Sequence, residues 1–180
     1  LLSYLLLPFT IPIRINNILL NLKSKKKNQK IKTICVGNIY LGGTGKTPTT
    51  IKLYQLLSQL GYEVITAKKN YKDHLDEKFI LEKKTETIFL KDRTEIVNKA
   101  IAMKKKILIF DDGLQDKKIS YDIEFVCFDQ KNWLGNGLLI PSGPLREKIN
   151  SLKKYSCIFL KKDGEDTNTK TQLIKNINPN

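Results

Sequence analysis

Apolar and polar positions divide the chain into blocks of recognisable period. The first, Leu1 to Leu22, is apolar but broken by Pro8, Pro12, Arg14, Asn16 and Asn17. It therefore falls short of the roughly 20 clean residues a bilayer-spanning helix needs. A basic run follows at Lys23, Lys25, Lys26, Lys27 and Lys30. The pattern then changes. Ile34, Cys35 and Val36 predict a buried strand, a loop with Gly42, Gly43 and Gly45 comes next, and Lys46-Thr47-Pro48 opens a helix-patterned segment from Thr49 to Leu60 that Gly61 closes.

Further along, Tyr62 to Ala67 predicts a second strand, Lys68 to Lys78 a polar connection with the single histidine, His74, and Thr87 to Leu90 a short strand. Helical spacing of Ile96, Val97, Ala100 and Ile101 predicts a helix over Asp92 to Met103. Ile107 to Phe110 is a buried-strand run that leads straight into Asp111-Asp112-Gly113, and Ile123 to Phe128 and Tyr155 to Leu160 are further strands. Between those two lies Trp133 to Arg146, dense in Gly and Pro yet more apolar than a solvated loop. Strands alternating with helical stretches predict an α/β fold with a doubly wound, mostly parallel sheet, P-loop NTPase-like, preceded by a helical, membrane-associating segment. The expected organisation is 1–30 apolar plus basic, 31–160 a P-loop domain, and 161–180 a polar tail that begins a further C-terminal part.

Strand, glycine loop and helix in that order are the parts of a phosphate site. Glycines let backbone N–H groups turn inward, the helix N-terminus adds partial positive charge, a lysine reaches the outer phosphates and a threonine hydroxyl suits Mg²⁺. The strict pattern wants a glycine where Tyr40 stands. An apolar strand ending in Asp111 is the usual companion of such a loop, because the strand end puts a carboxylate beside the metal. The expected nucleotide contacts are Gly42, Gly43, Thr44, Gly45, Lys46 and Thr47, with Thr47 and Asp111 on the metal.

Composition changes this picture in three places. The chain has 180 residues and a net charge of +14, which suits an anionic partner, although lysine enrichment also follows from genomic base composition. An apolar anchor followed by lysines fits peripheral attachment to an anionic membrane; a helix packed on the protein's own core and the remnant of a signal peptide are the other readings. Arg14, Arg93 and Arg146 are the only arginines among 32 basic residues, so each invites a role for its planar fork. Cys35, Cys127 and Cys157 sit in strand-like runs without C-x-x-C spacing, as small buried hydrophobes do.

Three ordered blocks, Val36 to Pro48 (V-G-N-I-Y-L-G-G-T-G-K-T-P), Asp111 to Gln115 (D-D-G-L-Q) and Gly135 to Glu147 (G-N-G-L-L-I-P-S-G-P-L-R-E), resemble the tetraacyldisaccharide 4′-kinase family of lipid A biosynthesis. The resemblance covers roughly Leu5 to Leu160. It implies a membrane-associated P-loop kinase at the cytoplasmic face of the inner membrane. Such an enzyme would use ATP and Mg²⁺ to phosphorylate the 4′-hydroxyl of an anionic glycolipid, with a longer C-terminal part supplying a histidine. It also implies that Asp76 is catalytic, matching the family's Gly-Asp-Glu-Pro as Leu75-Asp76-Glu77-Lys78. The family's Ser-Arg-Gly-Tyr-Gly appears here as Lys68, Lys69, Asn70, Tyr71 and Lys72, and its D-D-G-F-Q-H ends in Asp116.

The residue roles that follow are Lys46 on the β- and γ-phosphates, Asp76 on the sugar hydroxyl, Asp112 on metal or acceptor, and Gln115 and Arg146 on substrate. Bland alternatives stand beside them: Asp112 as a turn residue before Gly113, Asp76 as a solvated acid, and Arg146 paired with Glu147 or another acid. A nucleic-acid-dependent ATPase and a truncated, inactive membrane-binding module are the other functional readings. Lysines spread evenly without interleaved aromatics argue against a nucleic-acid groove, and no nucleic-acid partner is expected.

Overall fold

A computed structural model of the chain describes residues 2–22, 26–27, 30–70, 75–116, 118–161 and 168–179. In chain order its elements are α1 (Leu2–Leu5), a 3-10 turn (Leu7–Thr10), α2 (Ile11–Leu22), β1 (Lys26–Lys27), β2 (Lys32–Gly37), α3 (Lys46–Gln59), β3 (Val64–Lys69), α4 (Leu75–Lys84) and β4 (Thr87–Leu90). They continue with α5 (Arg93–Ala102), β5 (Ile107–Asp111), β6 (Ile119–Ser120), β7 (Ile123–Asp129), a second 3-10 turn (Ile149–Lys154), β8 (Cys157–Lys161) and α6 (Asn168–Ile177). The fold is α/β, with mostly parallel strands and helices between them. The chain divides into two compact units, one of Leu1–Ser24, Asn38–Gly45 and Phe125–Asn180, the other of Lys25–Gly37 and Lys46–Glu124.

In the second unit the strands run parallel in the order β4, β3, β5, β2. After its first residue β2 is buried throughout, and so is most of β3, as expected of parallel strands with helices on their faces. Helix α3 turns Thr47, Thr50 and Ile51 inward. It starts at Lys46 rather than Thr49, because Pro48 is tolerated in a first turn where its missing N–H has no partner to lose. Asp92 caps α5, accepting from the amides of Thr94 at 2.7 Å and Glu95 at 3.4 Å.

Two departures from the expected pattern lie in this unit. β3 runs on to Lys69 and buries Lys68, a strand end that polarity alone assigned to the connection. Helix α4 fills part of that connection, with Asp76 and Glu77 in its first turn and Lys83 and Lys84 in its last, the arrangement the helix dipole favours.

In the first unit β7 and β8 pair in parallel from Phe125↔Cys157 to Asp129↔Lys161. The tail contains α6, and the amide of Asn178 just past it donates to the carbonyls of Leu152 at 2.8 Å and Tyr155 at 2.9 Å. The N-terminal helices leave Tyr4, Leu5, Phe9, Ile11, Ile15 and Ile18 exposed. Among the described residues no helix is long and apolar enough to cross a membrane. None of the three cysteines is in a disulfide among the described residues; Cys35 and Cys127 are buried and Cys157 is half-buried. Burial, and next the charge of Asp112, push the Cys35 thiol well above its ordinary value.

Candidate functional site

The register of β2 on β5 sets Asp111 opposite Val36 at the C-terminal end of the strand pair. Asp111 is 1% exposed, so its charge must be answered by neighbours. Its Oδ2 accepts from Thr47 Oγ1 at 2.9 Å and from Lys68 Nζ at 2.6 Å, and its Oδ1 accepts from Thr50 Oγ1 at 3.3 Å. Lys68 Nζ also lies 2.6 Å from Glu77 Oε2 on α4. Burial pulls the Lys68 ammonium toward neutrality, but the two carboxylates outweigh it and hold its pKa above the ordinary lysine value. Lys46 Nζ stands 3.8 Å from Asp112 Oδ2.

Asp112 adopts a left-handed φ of 69°, a conformation that Asp tolerates better than most residues. Its N–H donates to the Val36 carbonyl at 2.8 Å, and its own carbonyl accepts from Arg93 Nη2 at 2.9 Å. Arg93 Nη1 pairs with the Asp116 carboxylate. Gly113 must be glycine, since a Cβ there would meet Tyr121 Oη at 2.8 Å and Arg93 Nη2 at 2.9 Å. Gln115 is half-buried in the turn that follows.

The glycine loop, in the first unit, is braced from within. Buried Asn38 donates through Nδ2 to Thr44 Oγ1 at 3.0 Å and to the Gly42 carbonyl at 3.3 Å. Gly42 and Gly45 have φ of 126° and 82°, which a side chain would resist. Tyr40 forms an antiparallel bridge with Leu145, while Leu41 N–H donates to Pro144 O and Arg146 N–H to Ile39 O, each at 2.8 Å. The apolar Gly- and Pro-rich block is thus the backbone partner of the segment where the strict P-loop would have its first glycine. Arg146 is half-buried, and its carbonyl accepts from Asn17 Nδ2 at 3.0 Å. Glu147 receives Lys154 Nζ at 2.6 Å and Tyr155 Oη at 2.8 Å.

The structure therefore brings Lys46 to Asp112 and Thr47 to Asp111. Asp76 sits exposed on the first turn of α4, and it is the next residue, Glu77, that reaches Lys68. Lys68, Glu77, Thr50 and Asn38 escaped the sequence reading. For Lys68 the usable signal was a lysine that continues a buried strand toward the same end as Asp111. Tyr71, Lys72 and His74, and Lys23 and Lys25 of the basic run, lie outside the described residues.

Thr47, Asp111 and Asp112 offer only hard oxygen donors, the set Mg²⁺ prefers, and Mg²⁺ needs few of them because it keeps waters and phosphates as ligands. A cation, the Lys68 ammonium, already rests on Asp111 Oδ2 at 2.6 Å. The residues fit the ion.

The family model described as tetraacyldisaccharide-1-P 4′-kinase matches residues 1–179. The chain belongs to this family. A tetraacyldisaccharide 4′-kinase of Pelagibacter ubique (strain HTCC1062) is 48% identical over 180 residues, covering 99% of this chain and 56% of that protein. The tetraacyldisaccharide 4′-kinase of Jannaschia sp. (strain CCS1) is 36% identical over 147 residues, covering 72% of this chain and 45% of that protein. The chain thus spans about half the length of these family members. The fold resembles a crystal structure of LpxK from Aquifex aeolicus in complex with ATP, with a TM-score of 0.76 at 23% identity over 93% of this chain and 63% of that one.

Proposed function

We propose that the protein carrying this chain is a lipid A 4′-kinase, which moves the γ-phosphoryl group of ATP to the 4′-hydroxyl of a tetraacyldisaccharide 1-phosphate. The observation that carries this reading is the 2.9 Å hydrogen bond from Thr47 to Asp111, which joins the head of the helix after the glycine loop to the carboxylate ending a parallel strand. Phosphoryl transfer asks the protein mainly for positioning and charge neutralisation.

The backbone amides from Gly42 to Gly45 line the nucleotide phosphates, and Lys46 neutralises the β- and γ-phosphates. Thr47 and Asp111 hold Mg²⁺, which when bound offsets charge on the phosphate oxygens. Asp76 accepts the proton of the 4′-hydroxyl as its oxygen bonds to the γ-phosphorus, and the β–γ bridging oxygen leaves with ADP. Asp112 steadies the metal or the acceptor. Gln115 and the fork of Arg146 hold the glycolipid, a bidentate guanidinium being well matched to a phosphate. The exposed apolar side chains of α1, α2 and the turn between them, with the lysines after them, seat the enzyme peripherally on the cytoplasmic face of the inner membrane, where this substrate resides.

The test is transfer of labelled γ-phosphate to tetraacyldisaccharide 1-phosphate by the full open reading frame that carries this chain. Transfer to the 4′ position is expected. Asp76→Asn should abolish it with nucleotide affinity intact, and full turnover in that variant would remove Asp76 from the acceptor role.

A further inference from the structure

Lys68 stands apart from the roles assigned above. Its side chain is 6% exposed, and its ammonium bridges a fully buried carboxylate, Asp111, and a half-exposed one, Glu77, at 2.6 Å each. A buried carboxylate needs compensating positive charge, and here the ammonium supplies it on Oδ2, the oxygen that also accepts from Thr47. A divalent ion on that oxygen and an ammonium in hydrogen-bond contact with it would repel each other strongly.

We propose that Lys68 is a tethered counter-cation of the metal site. It occupies Asp111 while the site is empty and is displaced onto Glu77 when a divalent ion binds, so that metal loading is felt at the first turn of α4. The inference rests on reading Thr47 and Asp111 as the metal ligands. Glu77 is what makes the exchange reversible, because it keeps the displaced ammonium paired instead of stranding a charge in a buried place. Helix α4 carries Asp76 one residue before Glu77, so Lys68 is a positioning residue for the acceptor side of the site.

The experiment measures Mn²⁺ binding without nucleotide, by the paramagnetic resonance of free Mn²⁺, on the full open reading frame. Lys68→Met removes the competitor and should tighten Mn²⁺ binding about tenfold or more, equivalent to ~1.4 kcal/mol. Glu77→Gln takes away the ammonium's second seat and should weaken Mn²⁺ binding. A merely structural salt bridge would weaken it in both variants, and that result, or affinities unchanged in both, overturns the proposal. Because Glu77 is half-exposed, its variant keeps the test open if Lys68→Met does not fold. Amide exchange in the first turn of α4 should change on Mn²⁺ addition in the wild type and not in Lys68→Met; no change in the wild type overturns the coupling. Asp111→Asn separates the two levels: if it binds Mn²⁺ like the wild type, the metal reading of Thr47 and Asp111 fails, whatever Lys68 does.

Discussion

The Arg93 guanidinium donates through Nη2 to the carbonyl of Asp112 at 2.9 Å, and through it a helix after β4 fixes the residue that follows β5. The same guanidinium pairs with Asp116, so both ends of the Asp112 to Asp116 turn hang on one buried arginine. Burial disfavours its charge, but Tyr121 and Asp116 oppose that and the group is held above its ordinary pKa. Arg93→Met should cost about 1 to 3 kcal/mol, the range for leaving part-buried acceptors, here the Asp116 carboxylate and the Asp112 carbonyl, without their donor. Urea unfolding measures it, and a loss under ~1 kcal/mol would mean that the turn holds without the clamp.

Lys46→Ala should weaken Mg²⁺-ATP binding by about 1.5 to 3 kcal/mol, the worth of a hydrogen bond to a charged group. Titration calorimetry reads the change, and unchanged affinity would remove Lys46 from the phosphate site.

Asp92 provides a pH signature. Lys118 first, then the Thr94 amide, hold its carboxyl down to about 2. A folded-state pKa below the unfolded value, about 3.9 for Asp, stabilises the fold above that value and loses the contribution as pH falls toward 2. Asp92→Asn keeps the capping oxygen and removes the charge. Its unfolding midpoint should therefore lie below that of wild type near neutral pH and converge on it between about pH 4 and 2. A constant gap across that window would assign the effect to geometry and not to charge.

Peripheral attachment predicts sedimentation with anionic liposomes that weakens with salt, since exposed charges are screened over about 10 Å at 0.1 M. Phe9→Ser, which changes a side chain 65% exposed, should weaken the salt-resistant part. Binding indifferent to both lipid charge and Phe9 would return the N-terminal segment to a packing role.

What could be read without coordinates was what depends on near neighbours in the chain. Apolar runs of the right length marked β2, β5, β7 and β8, and the glycines ahead of Lys46 marked the turn that leads into α3, because backbone conformation is a local property. The sequence also carried the family, through three blocks in order. The tertiary structure decided the partners. Asp111 meets Thr47, Thr50 and Lys68 across gaps of 64, 61 and 43 residues, and no period or spacing encodes which of many lysines answers a buried carboxylate. Polarity placed Lys68 in a loop; it lies in a strand because its charge is neutralised there by Asp111 and Glu77, which only the pairing of β3 with β5 and the seating of α4 bring within reach. The Gly- and Pro-rich block was legible as something other than a solvated loop, but that its backbone would grip Ile39 to Leu41 follows from the bridge between Tyr40 and Leu145, a contact between residues too far apart in sequence to be read from it.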